Sequence, residues 1–587
     1  MHNHLTRIER IRPQVNAAVV QRVEQTEQRA REDDAVLARG RSWGPMPLLA
    51  AVLISACSSL SQLPPDVQPG PPSGMLVAAA DTPLARVARE ASKLAEPSPA
   101  KRTAGGPENA ELSAVRGFAQ GAFALDARVQ LLRRAVRGID LQTYHLAADG
   151  VGTLILRELR DAARRGVRVR LLLDDWYTTG MDPLLLGLAA TPGVEVRLFN
   201  PFVAGRGSSI GRLWGLVTDF GRLNHRMHNK LLLVDGVMAV AGGRNLTDEY
   251  FLRSSEGNFI DFDVLLVGPV VAQLGTWFDR YWNARDVIPV AAVAVPSAGV
   301  DALRQDFEDA TAATAVYAAP DGNDEYGLPS VGVELDAGRL SLLPARAGAH
   351  ADVPEKRHDS NRIRALTGTE AQAERPADSI GERFYALLAG ARREVALSSP
   401  YFIPGAVGLA ALRSLRERGV EVTVLTNATG SSDEPLVNVA YARYRNELLK
   451  MGVRLYELAS TRLHEDSRLK RLFGDSVGRL HAKLALIDQE LVLLGSMNLD
   501  PRSRHTNTEL GLAVRSAELA RRIRATYEAG AGLGVYEVVL TPDGRSIEWI
   551  GRRAGGSVER LDSPPGLSWI EKVRLMLLSP LVAEELL

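Results

Sequence analysis

Two short segments of this 587-residue chain carry the residue types that phosphate chemistry needs: His228-Asn-Lys230 and His481-Ala-Lys483. An imidazole can attack phosphorus or move a proton, and an ammonium beside it can neutralise an anion. Each segment runs into an apolar stretch, Leu231–Val234 or Leu484–Ile487, then a turn at Asp235-Gly236 or Asp488-Gln489. A second apolar stretch returns to Gly242-Gly243-Arg-Asn245 or to Gly495-Ser496-Met-Asn498. Alternate residues of a strand share a face. A hairpin reversing between Asp235 and Gly236, or between Asp488 and Gln489, therefore predicts Gly243 opposite His228 and Ser496 opposite His481. Asn245 and Asn498 fall two residues further along the same face. Each hairpin thus presents an imidazole, an ammonium and an amide, and the second adds the Ser496 hydroxyl. Asp235 and Asp488 lie at the far, turn end, which reads as a structural place within the motif.

The motif is one part of a larger repeat. His481 follows His228 by 253 positions (481 minus 228), and Arg418-Gly-Val repeats Arg165-Gly-Val at the same offset. Arg393–Tyr401 matches the strand ending at Tyr144, and Gly452–Tyr456 matches the one around Val196–Phe199. A period of this size indicates duplication of a whole domain. Strand and helix signals alternate within each copy, which predicts an α/β class: two similar domains related by pseudo-twofold symmetry, each a mixed sheet flanked by helices.

The predicted boundaries are an N-terminal region 1–57, a Pro-rich linker 58–110, a first domain 111–285, a linker or insertion 286–375, a second domain 376–530, and a C-terminal region 531–587. Within the first region, Met46–Ile54 is an apolar run behind Arg39 and Arg41 that ends in Ile54-Ser55-Ala56-Cys57. It is too short to span a bilayer and has the pattern of a secretory signal. It resembles a bacterial lipobox, which implies lipidation at Cys57 and an anchored protein facing the periplasm, with Ser58 after it favouring the outer membrane if the cell is Gram-negative. The long segment before it predicts that translation starts near Val36 or Met46. In the C-terminal region, Tyr536–Leu540 and Ile547–Ile550 flank Asp543-Gly544 as a hairpin. The apolar stretch from Trp569 to Leu587 suits either a membrane interface or docking on the core.

Bulk properties narrow the function. Lys plus Arg and Asp plus Glu balance at 70 each, which is not the basic footprint of a nucleic-acid binder. A single cysteine rules out an intramolecular disulfide and a cysteine-based metal site. No carboxylate cluster suited to a metal, and no cofactor motif, is evident.

The two His-x-Lys-x-x-x-x-Asp segments resemble the paired HKD motifs of the phospholipase D superfamily. The flanking text resembles its bacterial cardiolipin synthase branch: Asn224–Lys230, Gly242–Phe251, Ser399–Gly405, Gly495–Ser503 and Asn507-Thr-Glu509. That resemblance implies a metal-free, ping-pong phosphatidyl transfer on phospholipids at a membrane. His228 is expected as nucleophile and His481 as acid/base, with Lys230, Lys483, Asn245 and Asn498 on the phosphate. It further implies that Glu509 orients His481, and that Asp263, or alternatively Asp261, orients His228. The expected activity is formation of cardiolipin from phosphatidylglycerol and a second phospholipid, possibly phosphatidylethanolamine. The alternatives are phospholipase D-type hydrolysis to phosphatidic acid and a non-catalytic scaffold; intact His, Lys and Asn in both copies argue against the last.

Overall fold

The computed structural model describes residues 67–94, 111–356, 379–463 and 476–567, apart from positions 204, 297, 315 and 554–555. Cys57 and the stretch from Trp569 lie outside the described residues.

In chain order the strands of the first half are β1 (Glu111–Phe118), β2 (Gly138–Thr143), β3 (Arg168–Asp174), β4 (Val194–Phe199), β5 (Leu231–Val234), β6 (Met238–Gly242), β7 (Gly257–Ile260), β8 (Asp263–Val267) and β9 (Val287–Pro289). They are followed by β10 (Leu343–Ala351), β11 (Glu394–Ser398), β12 (Glu421–Asn427), β13 (Arg454–Leu458), β14 (Val477–Leu480), β15 (Leu484–Ile487), β16 (Leu491–Gly495), β17 (Leu510–Arg515), β18 (Val535–Leu540), β19 (Ile547–Arg552) and β20 (Val558–Leu561). Eighteen of them form one sheet, and β7 pairs in parallel with β14 to form a small second one.

The large sheet reads outward in both directions from its centre. On one side β1 pairs with β8, then follow β6, β5, β2, β3, β4 and β9. On the other, β10 pairs with β17, then follow β16, β15, β11, β12, β13, β18, β19 and β20. β1 and β10 pair antiparallel at the seam, Ser113 opposite Ala345, so a pseudo-twofold axis passes between them. The α/β expectation of two related halves describes this architecture.

Local chemistry explains the repeated elements. The helix Gly150–Arg164 is capped by Asp149, whose side chain accepts from the Gly152 amide. It ends at Gly166 with φ +91°, and the helix Gly405–Glu417 ends at Gly419 with φ +80°. Glycine takes this left-handed conformation without strain, so each Arg-Gly-Val segment turns a helix into a strand. β2, β5 and β6 are buried throughout, as strands covered on both faces must be.

Three boundaries differ from the sequence reading. The segment 286–375 is not merely linker: it contains the helix Val300–Thr311 and the seam strand β10. Its alanines Ala345, Ala347 and Ala351 are buried, so small side chains let the seam pack closely and hide the strand signal. Order also begins before residue 111. The Ser73 and Met75 amides donate to Asn283 and Asp279, and the helix Pro83–Leu94 buries Leu84, Val87 and Ala91. The C-terminal hairpin extends the second half of the sheet and is joined by β20. Among the described residues no helix is long and apolar enough to cross a membrane.

The motif aspartates anchor this frame. Asp235 accepts from the backbone amides of Val136, Arg137 and Gly138, at 2.8 Å from Arg137. Asp488 accepts from Arg392, Arg393 and Glu394 in the same way, at 2.7 Å from Arg393. Each carboxylate ties its hairpin turn to the start of the neighbouring strand. Asp235 is buried whereas Asp488 is partly exposed, so the two removals differ. Asp235→Ala is expected to cost about 2–4 kcal/mol in chemical denaturation and Asp488→Ala about half that.

Candidate active site

The hairpins differ from the predicted register by one residue. Val234 pairs with Met238 and Ile487 with Leu491, so each turn has three residues and not two. Asp235 and Gly236 have φ +53° and +69°, and Asp488 and Gln489 have +52° and +62°, the left-handed pair of a type I′ turn, which the Val237 and Glu490 amides close onto Val234 O and Ile487 O. Ser496 is consequently not opposite His481. β5 and β15 begin only at Leu231 and Leu484, which leaves both histidines ahead of the paired strands.

The opposite half positions them. The His228 amide donates to Thr508 O at 2.8 Å, and the Thr508 amide donates back to Arg226 O. The His481 amide donates to Ile260 O at 2.7 Å, at the end of the β7–β14 pair. This brings the residue after Thr508 to His228 and the residue after Ile260 to His481. His228 Nδ1 lies 2.9 Å from Glu509 Oε2, and His481 Nδ1 lies 2.6 Å from Asp261 Oδ2.

Two expectations are corrected by this geometry. Glu509 holds His228 and not His481, because Thr508 before it is bonded to the His228 segment across the pseudo-twofold. Asp263 holds neither histidine: Arg128 and Arg244 take its carboxylate at 2.9 and 3.1 Å in a buried cluster. The alternative candidate, Asp261, is a histidine partner, but of His481. The supports differ between copies. Ser496 Oγ donates to Glu509. Gly243 stands in the equivalent place, where a Cβ would fall 2.2 Å from Asp261 Oδ1. The shorter carboxylate needs the space that a serine would fill.

The lysines curl back on their own histidines. Lys230 Nζ donates to His228 O at 2.7 Å and lies 5.2 Å from the Tyr144 ring centre. Lys483 Nζ donates to His481 O at 2.6 Å and is 3.0 Å from the ring nitrogens. Asn245 Nδ2 donates to Tyr250 Oη at 2.8 Å, and the Oδ1 atoms of Asn245 and Asn498 are buried without a hydrogen-bond partner among the described residues.

Burial dominates the electrostatics. It lowers the pKa of His228 and of His481 to about 4, and that of Lys483 to about 8; Lys230 is pushed well below its usual range for the same reason. Burial alone would raise Asp261 and Glu509, but the facing imidazoles and lysines outweigh it, bringing Asp261 to about 2 and lowering Glu509. Near neutrality each imidazole is therefore neutral, donates its Nδ1–H to an ionised carboxylate, and presents an Nε2 lone pair. Tyr250 Oη is 3.2 Å from His481 Nε2, and its phenol pKa is raised by burial, so it donates there. His228 Nε2 has no hydrogen bond among the described residues; the Tyr144 ring meets its imidazole edge-on at 4.9 Å.

Tyr144, Tyr250 and Asp352 are site residues that the motif reading missed. Asp352 Oδ2 accepts the Glu509 amide at 3.0 Å and the Asp352 amide donates to Glu509 O, which fixes the carboxylate that fixes His228. Tyr250 lies within the quoted Gly242–Phe251 stretch, but nothing in its spacing reveals a bond to the other half. Among the described residues no group of three or more His, Cys, Asp or Glu side chains could hold a metal ion.

A family model described as "Cardiolipin synthase, PLD-like domain" matches residues 129–282 and 384–529, stretches that contain both histidines and both carboxylates. Cardiolipin synthase C of Escherichia coli (strain K12) is 35% identical over 470 residues, 79% of this chain and 94% of its own length. Cardiolipin synthase B of Salmonella typhi is 26% identical over 397 residues, 67% of this chain and 75% of its own. Among solved structures, phosphatidylserine synthase of Haemophilus influenzae Rd KW20 aligns with a TM-score of 0.51 at 12% identity, covering 82% of this chain and 98% of its own, a likeness of fold.

The crossed pairing predicts a crossed response. Asp261→Asn is expected to shift the ring-nitrogen NMR signals of His481 and leave those of His228 in place, with activity falling roughly 10²–10⁴-fold; Glu509→Gln is expected to do the converse. Stability carries a pH signature too. His145 and His225 are likewise held near pKa 4 by burial, whereas an unfolded histidine titrates near 6.5. Between these values the unfolded chain binds more protons, so the histidines' contribution to stability is complete above about pH 6.5 and is lost as pH falls towards 4, opposed in part by Asp174 and Asp500, which burial raises to about 6 and about 7. The slope approaches about 1.4 kcal/mol per pH unit for each of the four histidines. Denaturant midpoints measured from pH 7 to pH 4.5 check this.

Proposed function

The chain belongs to the cardiolipin synthase branch of the phospholipase D superfamily and is a phospholipid phosphatidyltransferase; from that premise we propose that it forms cardiolipin from phosphatidylglycerol and a second phospholipid through a phosphohistidine on His228. The observation that carries the assignment is the unequal state of the two Nε2 atoms. That of His228 is open and nucleophilic, while that of His481 is tied to Tyr250.

The steps balance as two displacements. His228 Nε2 attacks phosphorus, the N–P bond forms, and the bond to the leaving headgroup oxygen breaks. The bound phosphodiester carries a negative charge, which favours a second proton on His481, and Asp261 stabilises the resulting imidazolium. That proton passes to the departing alkoxide. In the second displacement neutral His481 takes the proton of the acceptor lipid's hydroxyl, the oxygen attacks phosphorus, and the N–P bond breaks. Lys230, Lys483, Asn245 and Asn498 stand ready to neutralise the equatorial oxygens.

A lipid surface suits the entrance. The helix Ser209–Thr218 exposes Ile210 (83%), Leu213 (62%), Trp214 and Val217, spaced three, four and seven residues apart on one face. An apolar face with a tryptophan suits the membrane interface. The helix is joined to the site: Arg212 donates to the Trp176 carbonyl, and the next residue, Tyr177, meets the Tyr144 ring that packs against His228. Lipidation at Cys57 would hold the enzyme at such a surface, on the periplasmic side of the cell envelope.

Purified protein in mixed micelles with EDTA is expected to convert phosphatidylglycerol to cardiolipin, because lysines supply the positive charge. Phosphatidic acid as the sole product would replace this reading with hydrolysis. Because both histidines serve one reaction, His228→Ala and His481→Ala should each lose nearly as much activity as the double variant. Trapping with radiolabelled donor should give an acid-labile adduct on His228 in the wild type and none in His228→Ala.

A further inference from the structure

The two halves correspond in strand register but differ in what fills the places beside the site. Gly495 pairs with Gly511 as Gly242 pairs with Asp263, and Gly348 pairs with Ala513 as Arg116 pairs with Leu265. Met497 follows Gly495 as Arg244 follows Gly242. Counting back from the amides held by Asp488 and Asp235, Phe384 takes the place of Arg128.

In the first half these places hold a buried charged cluster. Asp263 binds Arg128 and Arg244, and Arg116 binds Asp324 and Glu334 at 2.7 and 2.9 Å. In the second half the same places hold two glycines, a methionine and a phenylalanine, and a cavity of about 490 Å³ opens there. Its walls include Phe384, Leu387, Leu493, Met497 and Ala513, and Lys483 lines it as well. Three arginines and an aspartate have thus been exchanged for an apolar slot that reaches a phosphate-binding lysine.

We propose that this slot is an acyl-chain site: it takes one hydrocarbon tail of the phospholipid whose phosphate is held at Lys483. The proposal rests on the reading of the substrate as a phospholipid and adds where one tail lies. The size is that of a ligand site, roughly 300–1,000 Å³. Its apolar walls keep a tail that leaves the lipid phase out of water, and the flexible Met497 can adapt to chain shape. Arg383, His350 and Ser398 line it beside Lys483, and the remaining walls are apolar and offer a headgroup no side-chain partner. The charged cluster of the first half denies a tail the equivalent position, so the two sides of the site are predisposed to different substrates.

The test uses the full-length protein in mixed micelles with phosphatidylglycerol bearing a photoactivatable diazirine on one acyl chain, followed by peptide mapping. Cross-links are expected on the segments around Phe384–Leu387 and Leu493–Ala513. Cross-links elsewhere, or none, would overturn the proposal. In parallel, Ala513→Phe, which fills the slot, and Leu387→Trp, which narrows its rim, are assayed on dihexanoyl and dioleoyl phosphatidylglycerol. Loss of at least roughly tenfold in kcat/KM for the long-chain lipid, with the short-chain rate retained, supports it. Equal losses on both lipids, or none on the long-chain lipid, refute it. Cross-links at the slot in an enzyme that releases only phosphatidic acid would sink the transferase reading and leave the acyl-chain site standing.

Discussion

The site depends on one reciprocal exchange: each half supplies an imidazole and receives its supporting carboxylate from the other half. Glu509 reaches from the second half to His228, and Asp261 reaches from the first half to His481. The exchange is fastened by backbone bonds that also cross, from His228 to Thr508 and from His481 to Ile260. Neither half contains a supported histidine without its partner. The seam of β1 on β10 therefore sets the chemistry as well as the fold, since a shift of one half against the other would misplace both Nδ1 contacts together. A misplacement of about 1 Å at such a contact is enough to cost orders of magnitude in rate.

Burial gives that exchange its electrical character. Two lysines and two histidines share a buried site with two carboxylates, and removing such groups from water is costly unless each is paired. The carboxylates are paired with the imidazoles, which leaves the lysines less well compensated and lowers their pKa values. An incoming phosphodiester supplies the missing negative charge. The free site is thus arranged for an anion that it does not itself contain, and its dipoles need little reorganisation when charge shifts during transfer.

The sequence carried the chemistry further than the architecture. His228, Lys230, His481 and Lys483 were legible because their spacing recurs at a fixed offset, and the α/β alternation was legible because buried strands are apolar and helices periodic. The hairpin register was not, since the same left-handed pair can close a two-residue loop or, with one more residue, a three-residue one. The partner of each histidine was not, because reciprocal and same-half pairing leave the same residues in the same order. β10 escaped notice because a seam strand built on Ala345, Ala347 and Ala351 lacks the β-branched signature of a strand. Asp352 escaped with it.

Duplication then permits what a true symmetric dimer forbids. In a dimer of identical chains every substitution appears on both sides of the axis; within one chain the copies vary separately. Here the variation is coordinated: Asp261 goes with Gly243 and Glu509 with Ser496, each pair filling one space with a different split of atoms. Tyr250 binds His481, whereas Ser503, 253 residues later, turns to the Asn498 amide and leaves His228 Nε2 open. The charged cluster Arg116, Arg128, Arg244 and Asp263 fills the flank of one half, and glycine, methionine and phenylalanine take those places in the other. Two displacements at one phosphorus ask for a nucleophile on one side and a proton carrier on the other, so a symmetric backbone with asymmetric side chains is the arrangement that the chemistry selects.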